Sequence, residues 1–171
     1  MIAAAAVGLA ACSPTQEAAK ADGPLIGKSS IKVEDGLMTP EAMWEMGRLG
    51  GLSVSPDASQ IAYAVSYYNI AQNKSNTELF VINTDGSDNK QITHSPFSEN
   101  SPVWIKDGSK IAFISSESGT PQLWEMNPDG TAKKQLSEVA NGIEGFSLSP
   151  NEEKVILIST VKTVETTADK Y

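Results

Sequence analysis

Serine, histidine and carboxylate side chains are the groups in this sequence whose types and spacing could do chemistry. A nucleophilic serine on a strand-to-helix elbow needs Gly-x-Ser-x-Gly. The chain offers Gly51-Leu52-Ser53-Val54-Ser55 and Gly145-Phe146-Ser147-Leu148-Ser149, each lacking the closing glycine. The two stretches stand at the same place in a repeat, 94 residues apart, and therefore read as strands. His94, the single histidine, follows Gln91-Ile92-Thr93 with no nucleophile or second ligand beside it, so a surface turn is expected. Asp85, Asp88 and Asp129 lack the close oxygen spacing of a calcium loop, and Asp-Gly turns account for two of them. Asn73-Lys74-Ser75 matches a glycosylation sequon and marks a surface loop. No residue is assigned a catalytic, cofactor-binding or metal-binding role, and no cofactor is expected.

What organises the chain is a repeat. Leu79-Phe80-Val81-Ile82-Asn83-Thr84-Asp85-Gly86-Ser87 returns as Leu123-Trp124-Glu125-Met126-Asn127-Pro128-Asp129-Gly130-Thr131, 44 residues later. Each copy predicts a strand, a tight turn whose Asp-Gly pair supplies positive backbone angles, and a second strand. Upstream of it, Leu52-Ser53-Val54-Ser55-Pro56-Asp57 with Ile61-Ala62-Tyr63 matches Pro102-Val103-Trp104-Ile105-Lys106-Asp107 with Ile111-Ala112-Phe113 at an offset of 50. A third copy, Phe146-Ser147-Leu148-Ser149-Pro150-Asn151 with Val155-Ile156-Leu157, follows 44 further on. The six extra residues of the first interval are expected in a polar surface loop within 67–76.

Four strands in about 44 residues is the unit of a β-propeller blade. A β-sandwich would lack the internal repeat, and a helical solenoid would need a 3.6-residue apolar period that these segments do not have. The expected fold is all-β: two complete four-stranded blades plus the start of a third, at about 48–100, 101–144 and 145–171, with one short helix before them. Trp104, Trp124, Phe80, Phe113 and Phe146 are expected to pack blade on blade. A propeller closes with four to eight blades, so the chain is expected to be a fragment of a larger one, marginally stable alone.

Residues 1–11 are apolar, alanine-rich and shorter than the ~20 residues a bilayer-spanning helix needs, which predicts a signal peptide. Leu9-Ala10-Ala11-Cys12 resembles the bacterial lipobox, although no Lys or Arg precedes the apolar run. Cys12 is thus the expected lipidation site and the membrane anchor; Ser13 after it implies the outer membrane, on the periplasmic side of the envelope. As the only cysteine it forms no internal disulfide. Residues 12–36 read as a flexible tether with a short strand available at 31–33. In Leu37-Met38-Thr39-Pro40-Glu41-Ala42-Met43-Trp44-Glu45-Met46-Gly47, Thr39 caps a helix beginning at Pro40, Met38 and Met43 form its staple, and Gly47 stops it. Trp44 and the methionines should pack on the first blade. A net charge of −8, with 13 basic residues scattered against 21 acidic ones, disfavours nucleic acid as a partner.

From Met38-Thr39-Pro40-Glu41 through Met46-Gly47-Arg48, Val54-Ser55-Pro56-Asp57, Ile61-Ala62-Tyr63 and the Asp85-Gly86 hairpin, the chain resembles the start of the propeller of bacterial prolyl oligopeptidase family serine peptidases. The dipeptidyl-peptidase and acylaminoacyl-peptidase-like members are the most similar, over about 37–171, and the repeats are shared with TolB-like propellers. The resemblance implies an exported peptidase in which the propeller gates peptide substrate into an α/β-hydrolase domain whose Ser, Asp and His lie outside these residues. It also draws attention to Glu152-Glu153, since some members hold a substrate amine with paired glutamates. Here the pair occupies the turn positions filled by Gly108-Ser109 in the second copy, which assigns it to the turn. The alternatives are a non-enzymatic TolB-like propeller that binds protein partners and a secreted sugar- or ligand-binding propeller.

Overall fold

The computed structural model describes residues 26–33 and 35–161. The segment expected to be a signal peptide, Cys12, most of the expected tether and the last ten residues lie outside them. A short helix α1 (Pro40–Glu45) leads into ten strands. Strands β1 (Arg48–Val54), β2 (Gln60–Asn69), β3 (Lys74–Asn83) and β4 (Lys90–Gln91) form one antiparallel sheet in sequence order. Strands β5 (Glu99–Ile105), β6 (Lys110–Ser115), β7 (Gln122–Met126) and β8 (Lys134–Gln135) form a second with the same order. Strands β9 (Gly145–Leu148) and β10 (Val155–Ile158) pair as the opening of a third. This is the expected propeller architecture of two full blades and part of another.

The strands form where apolar side chains alternate, and the alternation divides each sheet between two faces. Ala62, Ala64, Leu79, Val81 and Ile92 of the first blade meet Trp104, Ile111, Phe113 and Met126 of the second in one core. The opposite face of the second blade, through Ile105, Ala112, Ile114 and Leu123, meets Ile143, Phe146, Leu148 and Leu157 of the third. Phe113, Leu79, Ile111 and Met126 are fully buried. Each such side chain contributes ~1.5–3 kcal/mol, so the interfaces between sheets hold the fold together.

Turn chemistry explains the joints within each blade. At Asn83-Thr84-Asp85-Gly86 and Asn127-Pro128-Asp129-Gly130 only the glycine takes a positive φ, 85° and 84° respectively. The backbone N–H groups of Gly86 and Gly130 donate to the Asn83 and Asn127 carbonyls. The turn is therefore a three-residue loop closed by a left-handed glycine, and not the two-residue turn with two positive angles. The other repeated turn is held by a carboxylate or amide. Asp57 accepts hydrogen bonds from the Ser55 hydroxyl (2.6 Å) and the Ser59 N–H (3.0 Å), and Asn151 accepts from the Ser149 hydroxyl (2.8 Å). The Ser55 hydrogen bond above all holds the Asp57 carboxyl down at about 2. The second blade has no Ser-Pro here and turns instead through three residues of positive φ, Lys106 (52°), Asp107 (52°) and Gly108 (84°), closed by the Ser109 N–H donating to the Lys106 carbonyl.

Four local expectations are corrected. The six extra residues of the first interval do not swell a loop: they lengthen the β2–β3 hairpin, which pairs without interruption from Gln60–Asn83 to Asn69–Lys74. Pairing satisfies the added backbone groups that a loop would leave to water. Residues 31–33 form no strand. Thr39 does cap α1, accepting from the Ala42 N–H at 3.2 Å, but Gly47 is not a left-handed stop. A Cβ there would lie 2.8 Å from Val65 Cγ1 and 2.9 Å from Tyr67 Cε1, so the glycine permits close approach to β2. Finally, α1 buries Ala42 and leaves Met38, Met43 and Met46 about half exposed. Its first blade contact is made by Trp44, edge-on to Tyr68 with ring centroids 5.8 Å apart.

Candidate functional site

None of the serines reviewed in the sequence is a nucleophile. Ser53 lies on β1 and ties the blades together: its hydroxyl accepts from the Trp104 backbone N–H (3.2 Å) and its carbonyl accepts from Trp104 Nε1 (3.0 Å). Ser55 and Ser149 are committed to their turns, and Ser147 pairs within β9. His94 is exposed in the segment after β4 and hydrogen-bonds to none of these serines. Glu152 and Glu153 lie in the third copy of the turn, where Glu152 takes φ 55° and accepts from the Lys106 N–H (2.8 Å). Asp85 and Asp129 accept from Ser87 and Thr131 of their own turns, and Asp88 pairs with Lys90 (2.8 Å). Asn73 sits at the tip of the lengthened hairpin with φ 49°. Among the described residues no group of three or more His, Cys, Asp or Glu side chains is placed to hold a metal ion.

The structure instead brings together two buried carboxyls that sequence reasoning passed over. Glu78 of β3 accepts from the Thr93 hydroxyl (2.6 Å), Asn76 Nδ2 (2.8 Å) and the Ser95 N–H (3.2 Å), while Thr93 Oγ1 accepts from the Leu79 N–H (2.8 Å). The second blade builds the same clasp 44 residues on. Gln122 accepts from the Ser137 hydroxyl (2.8 Å) and the Val139 N–H (3.0 Å), and Ser137 Oγ accepts from the Leu123 N–H (2.9 Å). A neutral amide thus fills the place of Glu78. Burial pushes the Glu78 carboxyl upward, against the hydrogen bonds that favour its charge.

Glu99, at the start of β5, is completely buried beside this clasp. Ser95 in the link between the blades donates its hydroxyl to Glu99 Oε1 at 2.6 Å while its N–H serves Glu78. Lys133 Nζ lies 3.9 Å from Glu99 Oε1 and is committed more closely to Glu117. Glu99 Oε2 has no partner among the described residues. Desolvation, together with Glu78 and Glu117, pushes the Glu99 carboxyl up to about 7 against the pull of Ser95 and Lys133. The arrangement fastens the link between the blades to both of them. A charged residue in the alternating run Asn76-Thr77-Glu78-Leu79, matched to Gln122 in the repeat, was the signal available for Glu78. Glu99 had none, since Leu49 holds its place in the first blade.

Residues 31–170 match the family described as the TolB beta propeller domain, PD40. The chain belongs to the TolB β-propeller family. Within it, the chain is similar to proteins named Dipeptidyl-peptidase 5. The one from Porphyromonas endodontalis is 37% identical over 158 residues, which cover 92% of this chain and 22% of that protein. The one from Porphyromonas gingivalis is 39% identical over 134 residues, 78% of this chain and 20% of that protein. The chain therefore spans about a fifth of the length of these curated relatives. Among solved structures, the Pyrococcus horikoshii acylaminoacyl peptidase superposes with a TM-score of 0.56 at 21% identity, over 70% of this chain and 18% of that one. That likeness shows the propeller fold, as the sequence resemblance implied. A second feature lies where α1 meets the first blade: the Arg48 guanidinium carbon is 4.5 Å from the ring centroids of both Trp44 and Tyr68.

Proposed function

We propose that this chain is the propeller segment of an exported serine-type peptidase, restricting which peptides reach a catalytic α/β-hydrolase domain carried elsewhere in the protein. The observation that carries this reading is the 37% identity to a dipeptidyl-peptidase across 92% of the chain. Ser53, Ser55, Ser149, Glu78 and Glu99 serve turns and blade joints, which supports a structural role for this segment. Export and anchoring through lipid on Cys12 rest on the sequence of residues 1–13. Attachment through more than one acyl chain would hold the protein at the outer membrane, each buried methylene contributing ~0.8 kcal/mol.

The test is labelling of the full-length protein with a fluorophosphonate probe. A serine labelled in a Gly-x-Ser-x-Gly context, with peptide hydrolysis lost on its replacement by alanine, is the expected result. The family match to the TolB propeller itself favours a second reading, a non-enzymatic module that binds protein partners. Absence of labelling and of hydrolysis would transfer the assignment to that reading.

A further inference from the structure

Arg48 is the only arginine in the chain, against twelve lysines. It stands at the first position of β1, exposed, with its guanidinium over the rings of both Trp44 and Tyr68. Two separate elements supply those rings, α1 and the lengthened β2–β3 hairpin. The two rings stand at 69° to one another, so the guanidinium lies flat on at most one of them and turns an edge to the other, which leaves part of its N–H fork for a ligand. Among the described residues the Arg48 side chain makes no hydrogen bond and no ion pair. The nearest acidic group in sequence, Glu45, accepts instead from the Ser29 hydroxyl. An arginine held this way has already lost much of its rotamer freedom, which lowers the cost of a bidentate contact.

Trp44 and Tyr68 also form one wall of a cavity of about 320 Å3. Ile70 adds apolar surface to it, Asn69 and Asn73 add amide donors and acceptors, and Lys74 adds a second cation. Arg48 is not itself part of that lining; the two rings it lies over are, which places an anion-reading group next to a small pocket that offers aromatic and amide contacts together. That combination fits a carboxylate joined to an apolar residue through an amide.

We propose that Arg48, Trp44 and Tyr68 with the adjoining pocket form a binding site for the terminal carboxylate of a peptide ending in an apolar or aromatic residue. The fork takes both carboxylate oxygens, the pocket takes the side chain, and Asn69 and Asn73 meet the amide. The site does not depend on the peptidase reading, because binding and not turnover is its property.

The test is isothermal titration calorimetry of the full-length protein with N-acetylphenylalanine as the probe and N-acetylphenylalanine amide as its neutral counterpart. Neither has a peptide bond between two residues to cleave. The acid should bind roughly tenfold or more tightly than the amide. Arg48→Lys, which keeps the charge but loses the fork, should remove most of that preference and leave amide binding unchanged, while Lys74→Met has the smaller effect. Thermal melting of Arg48→Lys reports any purely structural role. Equal binding of acid and amide, no detectable binding of the acid, or an Arg48→Lys variant that melts lower yet keeps the preference would each overturn the proposal.

Discussion

Replacing Glu99 with glutamine should stabilise the protein above neutral pH and leave it nearly unchanged in mild acid. The carboxyl is completely buried, and desolvation raises it from the ordinary 4.5 to about 7. Because the folded pKa lies above the unfolded one, the folded state binds the extra proton between those values. Stability is therefore highest below pH ~4.5, falls as pH rises through the window, and reaches its full loss above pH 7. The interval between the two, at ~1.4 kcal/mol per pH unit, corresponds to roughly 3 kcal/mol. Relaxation around the buried charge and the nearby Lys133 reduce what is realised, so ~1–3 kcal/mol is the expected gain at pH 8. Glutamine keeps an oxygen for Ser95 and removes the charge, and the Gln122 clasp demonstrates that an amide is accommodated in such a joint. Urea unfolding of parent and variant at pH 5, 6, 7 and 8 measures the effect. The parent should weaken with pH more steeply than the variant, the residual slope reflecting the raised Glu78 carboxyl. Parallel pH profiles, or a variant weaker than the parent at pH 8, would refute the reasoning.

Further outcomes follow from the repeat. Gly86 and Gly130 are repeat equivalents with the same φ, yet a Cβ on Gly86 meets nothing within 4 Å while one on Gly130 would lie 2.2 Å from the Ile92 carbonyl oxygen. Gly86→Ala should cost ~1–2 kcal/mol of backbone strain and Gly130→Ala roughly 3 kcal/mol or more, compared by denaturant unfolding. Phe113, fully buried between the blades, should lose ~3–5 kcal/mol on replacement by alanine. Phe80, stacked at 5.4 Å on Tyr63 but only partly covered, should lose ~1–2 kcal/mol in the same assay.

Of the aromatic residues expected to pack blade on blade, Trp104 and Phe113 lie in the core between the first two blades, Trp124 packs against it, and Phe146 joins the second core. Phe80 differs. It occupies the place equivalent to Trp124, but it stacks on its cross-strand partner Tyr63 and belongs to neither core between blades. The periodicity of a strand assigns a side chain to a face, and it does not say whether another sheet covers that face.

The sequence by itself determined the repeat, the order of strands within each blade, the position of a turn after the first strand of each copy and the cap at Thr39. All of these are written in local patterns of alternation and turn chemistry. It also excluded the apparent serine elbows, because Ser53 and Ser147 stand at one repeat position in strands. Only the tertiary structure decided the rest. Glu99 became a buried carboxyl because Ser95, Lys133 and the neighbouring clasp close over it, although the strand pattern around it is that of any blade. Gly130 became intolerant of a side chain because Ile92 of the other blade lies against it, while Gly86 carries the same residue in open space. Arg48 acquired its two aromatic neighbours only when the lengthened β2–β3 hairpin brought Tyr68 beneath α1. Repeat chemistry acts over a few residues, whereas burial, close approach and stacking depend on which blade comes to lie beside which.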